Sequence, residues 1–439
     1  MTSTLTPSAF PPRRPASPLR TELRRGLAPW SGLAVAGAAL LVMAAGSAEW
    51  QGSWAETQSL LRSVAAAVAA PLAVAAGCLQ GGRERRLRTG ALLASASRGR
   101  AARTAVAAAP VMLWTAAGYT LAHAVSLLAC LPYAHHGRPA VTHVAADAVL
   151  VAAATGLGFV AGRLSPWRPT APVLALCAYA VLVLPQHAES SGLRFLSPAL
   201  RGDHPQASPV WWQAPADILW TGGLAATALV AHAARRKYLA LAPLAVAVAA
   251  GTLITQNGER MWQQGPPPAA TACTSLAGRQ ICVAEKDRSL LPEVAAALRT
   301  PFGKVEDLPG LPTRYTAGTT GPPPGEGRLF PLQLGWSVTR GEITDPGEYA
   351  HGTLLPSLGA PAGCATGRAP AADRTRYEAA RAVAHHWVIP LNADLADPHA
   401  PTAAFERFAA LPEPDRRAWL GQYVAAVRAC DLTRIPAVP

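Results

Sequence analysis

Seven stretches within the first 257 residues are apolar for long enough to cross a bilayer, each bounded by polar or charged residues. A spanning helix needs about 20 mostly apolar residues, because the hydrocarbon core is about 30 Å thick and a helix rises about 1.5 Å per residue. The pattern predicts spans near Trp30–Ala48, Leu60–Gln80, Thr104–Leu131, Val144–Gly162, Thr170–Gln186, Ala216–Ala234 and Leu239–Asn257. The fifth is short and carries Pro172 and Pro185. Many of these spans are rich in Ala and Gly, which lets helices approach closely. Beyond residue 257 the pattern changes to that of a water-facing domain. Ser289–Leu298, Arg374–Val388, Thr402–Leu411 and Pro414–Cys430 have apolar residues at helical spacing, with Pro292 near the start of the first and Asp373 as a cap for the second. The stretch 300–370 is rich in Gly and Pro, including Gly321-Pro322-Pro323-Pro324-Gly325, and reads as loop with a few strands. The expected fold is therefore an all-α polytopic membrane protein of about seven transmembrane helices with a mainly α C-terminal domain. The expected organisation is an N-terminal tail 1–29, a bundle 30–257, a linker 258–272 containing Gly265-Pro266-Pro267-Pro268, and a domain 273–439.

Charge fixes an orientation for this scheme. Residues 1–257 hold 21 Lys and Arg against 8 Asp and Glu, whereas 258–439 hold 18 of each, so the net charge of +13 lies wholly in the apolar part. The arginines form short clusters between apolar runs without interleaved aromatics, which excludes a nucleic-acid surface and fits the rule that Lys and Arg collect on the cytoplasmic side. With the N-terminus inside, the segments 1–29, 81–103, 163–169 and 235–238 carry seventeen positive residues, and the outer loops carry only Arg138, Arg194 and Arg201. Trp50, Trp54, Trp211 and Trp212 then sit at outer span ends, and an odd number of spans places the C-terminal domain outside the cell membrane. The first span has an alternative reading as a cleaved leader ending near Ala45-Gly46-Ser47-Ala48, though 29 residues before the apolar run is long for one.

Seven cysteines agree with that side assignment. Cys78, Cys130 and Cys177 lie in or at the ends of spans, where they act as small apolar residues. Cys273, Cys282, Cys364 and Cys430 lie in the C-terminal domain, and four in an oxidising space read as two disulfides. Cys273–Cys282 with Cys364–Cys430 is favoured because the first pair closes a short loop. A four-Cys zinc site lacks the usual C-x2-C spacing.

Ionisable residues within spans are candidates for function. Arg62, Asp147 and Asp217 fall near the outer ends of spans two, four and six, where they either pair, mark a vestibule or reach interfacial water; His123 and His232 lie deeper. The pairs His135-His136 and His385-His386 are weak metal candidates, since adjacent helical residues point about 100° apart. No HExxH or G-x-S-x-G occurs. Lys237, Lys286 and Lys304 are the only lysines and none precedes Ser or Thr, so the chain has no P-loop. No enzyme activity and no cofactor is indicated.

The connection between spans two and three, GGRERRLRTGALLASASRGRAAR over Gly81–Arg103, is basic, and Leu87, Ala91, Leu92, Leu93 and Ala96 offer an apolar face for a short interfacial helix. Glu84, Arg85, Arg86, Thr89, Leu92, Leu93, Ser97 and Arg98 give it a pattern that resembles the corresponding connection of type-2 ABC exporter permeases, in particular actinobacterial ones, over residues 20–238. The resemblance implies a permease-like subunit of an ABC-type exporter, energised by a separate P-loop ATPase that docks on this segment through Arg85, Arg86, Leu92, Leu93 and Arg98, in a bacterial cell membrane. It also implies a pair of permeases, as a homodimer or with a related second chain. The seventh span and outer domain depart from a minimal permease. Ile281-Cys282-Val283-Ala284-Glu285 and Val427-Arg428-Ala429-Cys430-Asp431-Leu432 resemble the Cys-containing tail of a group of actinobacterial permease-like proteins. The rival reading is a non-transporting membrane protein whose outer domain binds a ligand or envelope partner. The partners expected are thus lipid and an ATPase, with no nucleic acid.

Overall fold

A computed structural model describes residues 18–24, 26–88, 99–134, 138–167, 169–188, 192–199, 208–263, 271–306, 308–317, 325–361, 364, 369–389 and 402–439. Of the described residues, 73% are helical. It divides into two compact units: Met1–Ser47 with Trp54–Ala129 and Arg138–Gln264, and Ala48–Ser53 with Cys130–Gly137 and Gly265–Pro439.

Among the described residues, seven helices are long and apolar enough to cross a membrane, the mark of a multi-pass membrane protein. They are α1 (Leu27–Ala45), α2 (Trp54–Gly81), α3 (Arg100–Cys130), α4 (Val141–Leu164), α5 (Thr170–His187), α6 (Gln213–Ala233) and α7 (Lys237–Met261). Large apolar side chains such as Leu41, Leu128, Leu176, Val181 and Leu241 point outward, the pattern of a surface solvated by lipid. Small residues fill the interior instead. Gly77 and Gly81 on α2 face Gly158 and Gly162 on α4, and a Cβ at any of the four would overlap a backbone carbonyl of the other helix. The two G-x-x-x-G ridges therefore seat against each other, with backbones in direct contact. α1 and α3 cross in the same way at Gly32 and Gly118. Deeper polarity is satisfied across helices: the Thr115 and Thr155 hydroxyls of α3 and α4 lie 2.8 Å apart.

α2 is not uniform. Ala65–Ala69 winds as a π-helix immediately before Pro71. A proline in a helix lacks its N–H and crowds the carbonyl four residues back, so a widened turn just ahead of it relieves both problems. A short helix, Pro18–Arg24, precedes α1 and is held to α3 by Trp114 Nε1 donating to the Leu23 carbonyl at 2.8 Å. At the opposite end, the Gln58 amide donates to the Ala140 carbonyl at 3.1 Å and accepts from the Ala140 N–H at 3.0 Å, fixing the start of α4.

The C-terminal domain carries strands beside its helices, so it is not clearly all-α. β1 (Thr271–Leu276) and β2 (Arg279–Ala284) form an antiparallel hairpin, and β3 (Arg314–Thr316) and β4 (Gly327–Arg328) add in parallel in the order β1-β2-β3-β4. The hairpin turns on Ala277 and Gly278, both at positive φ, the geometry of a two-residue type I′ turn. α8 (Leu291–Lys304) makes the crossover from β2 to β3 that parallel pairing demands. α9 (Pro346–Leu358), α10 (Ala371–Val388), α11 (Thr402–Ala410) and α12 (Glu413–Arg428) complete the domain around a core that includes Ile281, Phe302, Tyr315, Tyr349, Leu354 and Tyr423. α9 falls in the stretch read as loop. Its start is nonetheless well specified, since Asp345 accepts from the Gly347 and Glu348 N–H groups and Pro346 occupies the first turn. Asp373 lies inside α10, not at its cap, which is Pro370. The expected linker from 258 is also shorter, because Trp262–Gln263 still pairs with Ser208–Pro209.

The two cysteine pairs are Cys273–Cys282 and Cys364–Cys430, with Cα separations of 4.1 and 5.3 Å. The first joins directly opposed residues of β1 and β2. Cys78 and Cys130 are buried thiols. Buried Arg279 has no carboxylate beside it in the hydrogen-bond pattern described. It donates instead to the Val305 and Glu306 carbonyls past the end of α8, at 2.8 and 3.1 Å, where a helix leaves acceptors unfilled.

Candidate functional site

The three charged span residues singled out from sequence, on α2, α4 and α6, meet in one cluster inside the bundle. Arg62 Nη2 donates to Asp217 Oδ2 at 2.6 Å, and Arg62 Nε lies 3.7 Å from Asp147 Oδ1. The Tyr119 hydroxyl of α3 donates to the Leu61 carbonyl at 3.0 Å and stands 3.3 Å from Asp147 Oδ2. All four groups are drawn together because each sits within a few turns of the same end of its helix. A carboxylate or guanidinium there lowers its energy by finding opposite charge, not by facing lipid. Their association replaces the reading in which each simply reaches interfacial water.

The cluster extends beyond these residues. His123 is wholly buried one turn beyond Tyr119, with its ring edge-on at 5.9 Å. His143, one turn before Asp147, lies beside Gln213 and within electrostatic reach of Arg62 and His123. Neither ring nitrogen of His123, nor His143 Nε2, nor Gln213 Oε1 has a hydrogen-bond partner among the described residues. A cavity of about 10 Å3, the size of one water, opens between Arg62, Asp147, Asp217, Thr221, Leu196 and Pro198. Tyr119, His143 and Gln213 were missed from sequence. Their signal was present: Gln58/Arg62, Tyr119/His123, His143/Asp147 and Gln213/Asp217 are four polar pairs at i, i+4, each placing two polar groups on one face of an otherwise apolar helix.

His232 differs from its expected deep position. It is the next-to-last residue of α6, half-buried near Arg100 and Arg163. That end of the bundle carries the basic connection. Of its candidate residues, Leu92, Leu93 and Arg98 lie outside the described residues. Arg85 donates to the Arg163 and Ser165 carbonyls at the end of α4, and Arg86 to the Leu79 carbonyl of α2. Glu84 pairs with Arg163 through both carboxylate oxygens, and Arg83 pairs with Glu22 at 3.0 Å. The first turn after α2 is thus tied to α4 and to the short N-terminal helix. Arginine suits this work because its planar fork spans two acceptors at once.

In the C-terminal unit, a cleft of about 290 Å3 lies beside the Cys364–Cys430 bridge, lined by Asp373, Asp431 and Thr433 among others. The Thr433 hydroxyl holds the Asp431 carboxyl below its usual range. His385 is partly buried with Nε2 unpartnered, and burial lowers its pKa to about 3. His386 packs edge-on against Phe405 at 4.3 Å, so the adjacent pair diverges as helix geometry requires. His135 and His136 lie outside the described residues. Among the described residues no three His, Cys, Asp or Glu side chains gather as metal ligands. Comparison with protein-family models, with curated proteins and with solved structures gave no match to this chain.

Proposed function

We propose that this protein is the permease-like transmembrane subunit of an ABC-type exporter, driven by a separate ATPase. Its N-terminus lies in the cytoplasm and its disulfide-bearing domain outside the membrane. The supporting observation is the way residues 83–86 grip the bundle. Glu84 and Arg85 bind the end of α4, while the chain itself continues α2. α2 and α4 in turn touch backbone to backbone through their glycine ridges, so the pair moves as one body. A push on the segment after Arg88 therefore reaches two helices at once. At their far ends those helices are held to α6 by Arg62, Asp147 and Asp217, the contact that a rocking motion must rearrange. Orientation is supported by the arginine distribution, seventeen residues on one set of connections against three on the other.

The test is copurification from mild detergent. The wild-type chain is expected to bring down a P-loop ATPase, and Leu92→Glu with Leu93→Glu is expected to release it while the protein stays folded. Unchanged partners in that double variant would remove the basis for the reading. A protease-accessible tag after Pro439 should be cleaved from outside intact cells; protection there reverses the orientation.

A further inference from the structure

We propose that the Arg62–Asp147–Asp217 cluster is a proton-binding site, with the proton carried on the Asp147 carboxyl. The inference does not depend on the exporter reading.

The argument starts from charge. Two carboxylates face one guanidinium, so the cluster carries a net negative charge if both acids are ionised. In a site walled by apolar helices such a surplus is unfavourable and is relieved by taking up one positive charge. Geometry says where. Asp217 holds the close contact with Arg62, at 2.6 Å, and its side chain keeps 16% exposure. Asp147 has only the 3.7 Å approach to Arg62 Nε, and its side chain is 2% exposed. Of the two acids, the ionised form belongs on the wetter one that is paired, and the neutral form on the drier one that is not. A protonated Asp147 also gains a hydrogen-bonding role beside the Tyr119 hydroxyl at 3.3 Å.

Every titratable or charged group near Asp147 fits this arrangement. Arg62 faces it from α2, Tyr119 and His123 from α3, His143 from its own helix and Asp217 from α6. α5, which also packs on α2 and α4, offers Cys177, Tyr179 and His187, all exposed. Buried His143 stands one turn from Asp147 beside Gln213, where an imidazole can accept or release a proton without moving a helix. The water-sized cavity lies against both Asp147 and Asp217, so one water there has an acid on either side. Uptake balances simply: one proton from water binds one carboxylate oxygen, and release leaves two anions against one cation. Release therefore loosens the contact among α2, α4 and α6.

Infrared spectroscopy of the full chain in mild detergent tests this. At neutral pH the wild type should show the C=O stretch of a buried protonated carboxyl, shifted in D2O. Asp147→Asn and Asp217→Asn each leave one acid to pair with Arg62, so both should abolish the band; Asp147→Glu should shift its frequency, whereas Asp217→Glu and His143→Gln should leave it in place. The wild-type melting temperature should fall as pH rises from about 4, where a free carboxyl ionises, until Asp147 itself ionises and the band fades, and Asp147→Asn, whose amide is permanently neutral, should lose that dependence. A wild type without the band, or a band that survives in Asp147→Asn, overturns the proposal. If either Asn variant fails to fold, the comparison of Asp147→Glu with Asp217→Glu still decides it: a band that shifts only in Asp217→Glu overturns the proposal.

Discussion

A guanidinium among apolar helices is tolerated only when anions surround it, and Arg62 has Asp217 at 2.6 Å and Asp147 at 3.7 Å. Removing one partner of such a buried group costs about 3–5 kcal/mol, because the charge left behind has nothing to replace it. Arg62→Ala should therefore lower the melting temperature sharply and reduce the folded yield in detergent. Thr155→Val, which breaks a neutral hydroxyl contact at a similar depth, should cost about 1 kcal/mol or less. Equal effects from the two would show that Arg62 is not held as described. Outside the membrane, His385 gives a pH prediction with a definite sign. Its folded pKa of about 3 lies below the ordinary value of 6.5, so the unfolded chain binds the extra proton between those limits. Stability therefore falls as pH drops from about 6.5 towards 3, by at most about 1.4 kcal/mol per pH unit from this residue. His385→Phe should flatten the acid limb of the melting curve; an unchanged limb would place the titration elsewhere.

At the scale of elements, the α2–α4 contact depends on four missing side chains. A Cβ at Gly158 would enter the Val74 carbonyl, which is backbone and cannot swing away. Gly158→Ala should separate the helices and abolish the monodisperse folded species in size-exclusion chromatography. Gly37→Ala on α1 is the control, since nothing lies within 4 Å of the added carbon, and it should be neutral or slightly stabilising. These ridges were legible as G-x-x-x-G spacings in apolar segments, yet spacing alone does not say which helix faces which. The i, i+4 polar pairs have the same status. Each marks a face, and only packing showed that four such faces share one interior. The strands were less legible. β1 and β2 are six residues each, interrupted by Ala-Gly in place of a stronger turn pair, and Ala277 adopts a positive φ that its side chain disfavours.

The whole molecule joins two kinds of stability. The membrane unit relies on close backbone contact and buried polar groups, and the C-terminal unit on an apolar core with two covalent links. In the chain-entropy account, a link across 66 residues restrains the unfolded chain by about 4 kcal/mol, and one across 9 by about 2.5 kcal/mol. Cys364→Ser with Cys430→Ser should thus destabilise that unit more than Cys273→Ser with Cys282→Ser, read as the fall in its melting temperature. The opposite order would mean that the hairpin link restrains more than its own short loop. The basic connection acts between elements of the first unit, since Arg85 and Glu84 bind the end of α4. The sequence reading gave Arg85 to a docking partner, and the contacts described for it lie within the bundle.

The sequence alone determined the number of spans, the placement of most C-terminal helices and the residues that had to be accounted for inside the membrane. Those features follow from local periodicity and from the cost of burying charge, which a linear pattern records. Tertiary structure decided that Arg62, Asp147 and Asp217 form one cluster, that glycines on α2 and α4 face each other, and that a sheet organises part of the C-terminal domain. Each of these is a pairing between distant segments. Such pairings depend on how helices rotate and strands register against one another, and that is set by the packed whole.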